Sequence, residues 1–128
     1  MPQGVETRRV EIQCTVCQIV KDRTEFYCKD RLTGRLDAAC KACRIIKTRE
    51  SVLGVTQQDY IELHKRQGGH CGICRKPLRS RRYKAFAVDH DHVTGRIRGL
   101  LCTGCNTGLG LFRDCAETLH RAIEWIKV

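Results

Sequence analysis

The chain has 128 residues, 30% of them charged, with a formal net charge of +10 and only one Trp, three Tyr and three Phe. That size gives one ordinary domain or two very small ones, with too few large apolar side chains for an extensive core. No stretch reaches membrane-spanning length, and the opening MPQGVETRRVEIQ lacks the apolar region of a signal peptide. An intracellular protein with no membrane partner is expected, and the basic balance favours nucleic acid as a partner.

Residues 1–12, with Arg8 and Arg9, read as a loose basic arm. Residues 13–48 form a first module, CTVCQIVKDRTEFYCKDRLTGRLDAACKAC, opened and closed by CxxC pairs. Between the pairs lie an apolar-aromatic run (EFYC) and a glycine turn (LTGR), the pattern of a zinc-ribbon-like hairpin. The run CRIIKTRE begins a short helix at Cys43. Residues 49–69 connect the halves through a linking helix predicted over 57–67. Thr56 and Asp59 resemble a capping box, Tyr60, Ile61 and Leu63 give an apolar face, His64 sits on the surface, and Gly68-Gly69 stop the helix.

The second module, residues 70–128, opens with CGIC and passes through RKPLRSRRYK to a strand at FAVDH. A tight turn at VTGR and a returning strand, IRGLLC, lead into the last CxxC, and CNTGLGLF begins a short helix after Cys105. Asp114 and Glu117 form a D-x-x-E capping box for a C-terminal helix. Leu119, Ala122, Ile123 and Ile126 fall on one face for packing, with Trp125 at the core or its edge and His120 solvated.

Eight of the ten cysteines stand in four CxxC pairs: Cys14/Cys17, Cys40/Cys43, Cys71/Cys74 and Cys102/Cys105. In a secreted chain this density would suggest disulfides; in an intracellular one, paired knuckles point to two structural Zn²⁺ ions, each in a tetrahedron of four thiolates. Cys28 and Cys115 are left over as plain thiols.

The segment VDHDHVTGRIRGLLCTGCN then needs its own explanation. Four thiolates saturate the zinc, so Asp89, His90, Asp91, His92 and Asn106 are left for other chemistry. Carboxylate and amide oxygens suit one hard cation, Mg²⁺ or Mn²⁺, and an imidazole suits a general base acting on water. A cation beside a base is what phosphodiester hydrolysis requires. On an ideal strand Asp89 and His90 face opposite sides while His90 and His92 share one, so a strand end or a bulge is expected there. The bland alternative is a hydrogen-bonded His-Asp cluster bracing the hairpin.

The run CGIC…VDHDHVTGRIRGLLCTGCNTGLG resembles the phage recombination endonuclease VII family, within the His-Me finger (HNH, ββα-metal) nucleases. The resemblance runs from about Gln67 to Ile126, with a weaker echo in TQQDYIELHKRQGG. It implies a small zinc-stabilised α+β fold with a ββα-metal nuclease unit, Asp89 as a catalytic cation ligand and His90 as general base. Asn106 completes the site as ligand or orienting group, and His92 holds the scissile phosphate. Cys71, Cys74, Cys102 and Cys105 match the structural zinc ligands. Some members carry an acidic residue three positions after the helix asparagine, where this chain has Leu109. The family's junction-resolving member has a long C-terminal extension, whereas this chain stops at Val128. Junction specificity is therefore not carried over.

Arg75, Lys76, Arg79, Arg81, Arg82 and Lys84 read as a loop gripping the DNA backbone, and Arg96 and Arg98 as further phosphate contacts on one face of the returning strand. With few aromatics among them, binding should be salt-sensitive and weak in sequence preference. The expectation is a metal-dependent endonuclease nicking or cutting duplex or branched DNA, as monomer or homodimer. Its first zinc module is read as a DNA-docking or stability element. If phage-encoded, it works in the bacterial cytoplasm. The alternatives are a non-catalytic zinc-finger nucleic-acid-binding protein and a RING or treble-clef interaction module.

Overall fold

The computed structural model describes residues 9–79 and 85–128. The chain divides into two compact units, Met1–Gln57 and Gln58–Val128. Both are small α+β assemblies built on two-stranded antiparallel sheets.

In the first unit, β1 (Glu11–Gln13) pairs with β2 (Val20–Asp22), and β3 (Phe26–Asp30) pairs with β4 (Arg35–Cys40). Helix α1 (Lys41–Leu53) starts inside the second knuckle and ends at Gly54, whose φ of 66° gives a left-handed cap. Cys14, Phe26 and Cys40 form the buried centre, with Ile12, Cys17, Leu36 and Cys43 packed around them. A core this small needs a staple, and the four cysteines sit where a staple belongs.

In the second unit, α2 (Gln57–Arg66) lays Tyr60 and Leu63 on a core of Cys71, Phe86, Leu100 and Leu101. Tyr60 also donates its hydroxyl to the Phe86 carbonyl at 3.2 Å. Ile61, expected on the same apolar face, is 43% exposed. It follows Tyr60 by 100° around the helix and so turns away from the stripe that reaches the core. Strands β5 (Ala87–His90) and β6 (Ile97–Leu101) form the hairpin, and α3 (Thr103–Leu111) packs on both. α3 begins at Thr103, inside the knuckle rather than after it, with the Cys102 Sγ accepting the Cys105 amide at 3.4 Å.

The C-terminal helix α4 (Ala116–Ile126) departs from expectation twice. Its N-cap is Cys115, and Asp114 precedes it at a φ of 51°, so the D-x-x-E pattern does not cap this helix. Trp125 and Ile126 are 82% and 79% exposed, and Ile123 is also exposed, whereas Leu119 and Ala122 are half-buried. Helical spacing shows which residues share a stripe; it does not create a surface for the whole stripe to meet.

The two units repeat one plan. The residue after each opening knuckle is left-handed, Gln18 at φ 61° and Arg75 at φ 59°. Its amide bonds back to the first cysteine carbonyl at 3.0 Å, Gln18 to Cys14 and Arg75 to Cys71. Thr15 and Gly72 donate to Ala38 and Leu100 at 3.0 Å, tying each knuckle to its returning strand. Both hairpin turns then read D-x-x-T-G-R. The Asp30 Oδ1 accepts the Leu32 and Thr33 amides, as the Asp91 Oδ1 accepts those of Val93 and Thr94. Gly34 and Gly95 turn the chain at φ 70° and 73°. Each returning strand leads into a CxxC that opens a helix, so the first unit goes beyond a ribbon hairpin to ββα order. Between turn glycine and knuckle the second unit is one residue longer.

Candidate active site

Each unit gathers its four cysteines. The sulfurs of Cys14, Cys17, Cys40 and Cys43 lie within 4.8 Å of one another, as do those of Cys71, Cys74, Cys102 and Cys105. The Cys40 amide hydrogen-bonds the Cys14 sulfur at 3.2 Å and holds its thiol down at about 6. At Cys71, burial raises the thiol, but amides of Cys102, Ile73 and Cys74 outweigh it and bring it to about 6. Burial pushes Cys43 and Cys105 up to about 12, and neighbouring thiols add to the rise. Four sulfurs so close cannot all ionise unaided, and a dication among them removes that conflict. The donor set fits Zn²⁺. Lys21 adds a positive charge at the first cluster, its Nζ 3.3 Å from the Cys40 Sγ.

The second cluster fixes the origin of β6 and α3, and the hairpin places the remaining groups. Asp89 pairs with Gly99 and His90 with Ile97, so the register slips by one between the two site residues. The bulge falls at Arg98 on the partner strand, and His90 is the last residue of β5. A strand end at His90 is present, and the bulged residue lies on the partner strand rather than between Asp89 and His90 themselves. Asp89 is only 8% exposed. Arg98 grips it with Nε to Oδ2 at 2.6 Å and Nη2 to Oδ1 at 3.1 Å, and the carboxylates beside this guanidinium hold its charge firmly. The same Nη2 lies 3.4 Å from the Asp114 Oδ1, and the other Asp114 oxygen lies 3.6 Å from the His92 Nε2. The His90 and His92 rings stand 4.6 Å apart at 38°.

Asp91 has a different job. Its carboxylate closes the turn through the Val93 and Thr94 amides at 2.8 and 2.9 Å, and these bonds hold its pKa below the ordinary carboxylate range. Asn106 lies in the second turn of α3, half-buried, its amide bonded to the Cys102 carbonyl at 3.0 Å. Among the described residues its side chain makes no hydrogen bond. Arg75, Lys76 and Arg79 are exposed beside the opening knuckle, and Arg96 is exposed on the hairpin. Arg98 is turned inward on Asp89. Arg81, Arg82 and Lys84 lie outside the described residues.

Two residues here escaped the sequence reading. Asp114 looked like a helix cap, yet it meets Arg98 and His92 from across the unit. Gln67 clamps β6 from the end of α2, with Oε1 accepting the Leu100 amide at 2.8 Å and Nε2 donating to the Leu100 and His70 carbonyls at 2.8 and 3.0 Å. No local motif signals either contact; only Gly99, which leaves room for the Gln67 amide, marks the second.

The family model for recombination endonuclease VII matches residues 46–128. The Gene 59 protein of Mycobacterium phage D29 is 48% identical over 75 residues, covering 58% of this chain and 44% of that protein. The Gene 59 protein of Mycobacterium phage L5 is 47% identical over 74 residues, covering 57% and 44% respectively. The chain thus spans less than half the length of these relatives. The crystal structure of the ββα-Me type II restriction endonuclease Hpy99I is 28% identical and matches with a TM-score of 0.42, over 91% of this chain and 65% of that one. With well over half of its residues matched by the family model, the chain belongs to the recombination endonuclease VII family.

Proposed function

We propose that this protein is a divalent-cation-dependent DNA endonuclease that hydrolyses phosphodiester bonds in duplex or branched DNA. The observation that carries the reading is the bulged strand end, which presents His90 directly beside the buried Asp89, next to a zinc-knuckle helix bearing Asn106. Family membership supports the same reading.

The donor set fits a hard cation. Asp89 and Asn106 offer oxygen ligands, and Arg98 donates one hydrogen bond to each Asp89 oxygen, leaving a lone pair on both. When bound, Mg²⁺ or Mn²⁺ supplies charge stabilisation to the phosphorane and the leaving 3′-oxygen. His90 accepts a proton from the attacking water as general base. His92 backs the base through its ring contact and holds the scissile phosphate, with Asp114 behind it. Arg98 orients Asp89, and the exposed Arg75, Lys76, Arg79 and Arg96 hold flanking phosphates together with Arg81, Arg82 and Lys84. Two Zn²⁺ ions, on Cys14, Cys17, Cys40 and Cys43 and on Cys71, Cys74, Cys102 and Cys105, staple the two units.

The work divides along the chain: a basic arm that ends before β1, a docking module from β1 through α1, the linking helix α2 and the nuclease unit at 70–128. An arm reaching residue 12 and a module ending at 48 do not match β1 and α1. One active site cuts one strand per visit, so a monomer nicks, and a double-strand break takes a homodimer or two visits. The phage relatives point to the bacterial cytoplasm as the place of action.

The deciding experiment is cleavage of supercoiled plasmid with Mg²⁺ or Mn²⁺ by wild type and His90→Ala. Wild type should convert the plasmid to nicked or linear form, and loss of the base should slow this by roughly 10²-fold or more. If both proteins retard the plasmid on a gel and neither cuts it with any cation or with branched substrates, the protein is a binding module instead.

A further inference from the structure

The repeated plan makes a position-by-position comparison possible between the candidate site and its counterpart in the first unit. Counting from the shared D-x-x-T-G-R turn, Lys29 stands where the second unit has His90, and Cys28 where it has Asp89. Counting from the shared knuckle, Arg44 stands where the second unit has Asn106, and Lys41 where it has Thr103. Every group that could serve a hard cation or act as a base at neutral pH is gone from these positions. A lysine ammonium holds its proton, a thiol is a soft ligand, and a guanidinium repels a cation.

What replaces them is fixed positive charge, only part of it paired with a buried carboxylate. Asp37 on β4 is 6% exposed and accepts the Arg44 Nε at 2.8 Å, with Nη2 of the same side chain alongside. Lys29 lies close enough to add to the field that, behind the Arg44 bond and the Ala39 amide, holds the Asp37 carboxyl down. Lys41 is held 5.5 Å from the centroid of the Tyr27 ring, which is itself 44% exposed. Asp30, beside Lys29, is occupied by its own turn through Leu32 and Thr33. One carboxylate needs one partner. Arg44 and Lys29 already outnumber that carboxylate, Lys41 is held over Tyr27, two residues before Lys29 on β3, and Arg44, with its side chain 37% exposed, keeps guanidinium donors beyond those spent on Asp37.

We infer that this face of β3, β4 and α1 is a second nucleic-acid site, which holds a backbone phosphate of DNA on Lys29, Lys41 and Arg44 without a divalent cation and without cutting it. The inference rests on the nuclease reading for the identity of its partner and on the first unit alone for its chemistry. In the second unit the same scaffold presents a carboxylate, an amide and imidazoles to the strand it is proposed to cut; in the first it presents only an anion-holding surface.

The test is binding of a fluorescent 30-base-pair duplex, read by anisotropy across a salt series with no added divalent cation. Both partners of the comparison carry His90→Ala to keep the DNA intact. Lys29→Gln/Lys41→Gln spares Arg44, so Asp37 keeps its partner, and zinc content and melting temperature confirm that the first unit is folded. The double substitution should weaken binding on the order of tenfold or more near 0.1 M salt and flatten the log–log salt dependence by about 1, since one phosphate contact contributes about 0.9 to that slope. Unchanged affinity and slope would overturn the inference. Plasmid cleavage by the chain with His90 intact is scored separately: its absence would count against the nuclease reading and leave this binding result to stand or fall alone.

Discussion

Gly99 lies next to the bulge at Arg98, opposite Asp89, and its replacement by alanine offers a quantitative check on the geometry. A Cβ at this position would stand 2.7 Å from the Gln67 Oε1, and the backbone φ of 155° lies in a region that residues with a Cβ rarely adopt. Gln67 is flexible in isolation, but here its amide is spent on three hydrogen bonds, two of them to Leu100. Retreat from the new methyl therefore surrenders the clamp. Losing three bonds at about 1 kcal/mol each puts Gln67→Ala alone near 2–3 kcal/mol. Gly99→Ala bears that loss plus roughly 1–2 kcal/mol of backbone strain, or about 4 kcal/mol in all. The informative measurement is the double mutant. Once Gly99→Ala has expelled the amide, removing it should cost less than about 1 kcal/mol more, a coupling of about 2 kcal/mol. Urea unfolding at fixed excess zinc, with the two single variants and the double, gives the cycle. Additive losses would mean that the clamp survives the methyl group, and the close approach of Gln67 to β6 would be refuted.

Two further outcomes concern the zinc clusters. Cys14→Ser should lower the zinc content from two ions to one and loosen the first unit, while Cys71→Ser should do the same for the second and abolish cleavage; metal analysis with circular dichroism decides, and an unchanged ratio of two would disprove the assignment. Zinc affinity should rise with pH, because between about pH 6 and 8 binding must displace the proton that Cys43 holds up to about 12. Below about 6 the Cys14 thiol is protonated as well and the dependence should steepen by a further proton. Chelator competition across this range tests the sign, and a flat profile would contradict it.

The parts legible in the sequence were those set by local chemistry. CxxC spacing marked all eight clustered cysteines, and alternation with turn residues marked both strands of the second hairpin. Side-chain parity on β5 asked for a strand end or a bulge at Asp89–His90; the strand does end at His90, and the bulge lies opposite, at Arg98 on β6. What stayed hidden were contacts whose partners are far apart in sequence. Asp114 and Glu117 have the spacing of a capping box, and nothing in one sequence separates a cap from a carboxylate that reaches Arg98, 16 residues away. Asp91 erred the other way: flanked by His90 and His92 it looked chemical, whereas its oxygen closes a turn. The shared D-x-x-T-G-R turn and the flanking CxxC pairs hint at a repeat, but spacings that differ between the halves hide its extent, and the matched hydrogen bonds reveal it.

That repeat bears on how a chain with so small a core supports a precise site. Neither hairpin is long enough to hold its own register in water, since an isolated two-stranded ribbon is marginal. Each is instead pinned at both ends, by an aspartate-closed turn and by a cysteine knuckle whose amide is tied to the returning strand. Within those fixed ends the second hairpin, one residue longer between turn glycine and knuckle, slips register once, at Arg98. The first hairpin slips register on both sides of its Cys28–Leu36 pair and keeps Asp37 buried on Arg44. The same frame carries two opposite electrostatic solutions: an acid held by Arg98 beside two imidazoles, and a basic surface around Asp37.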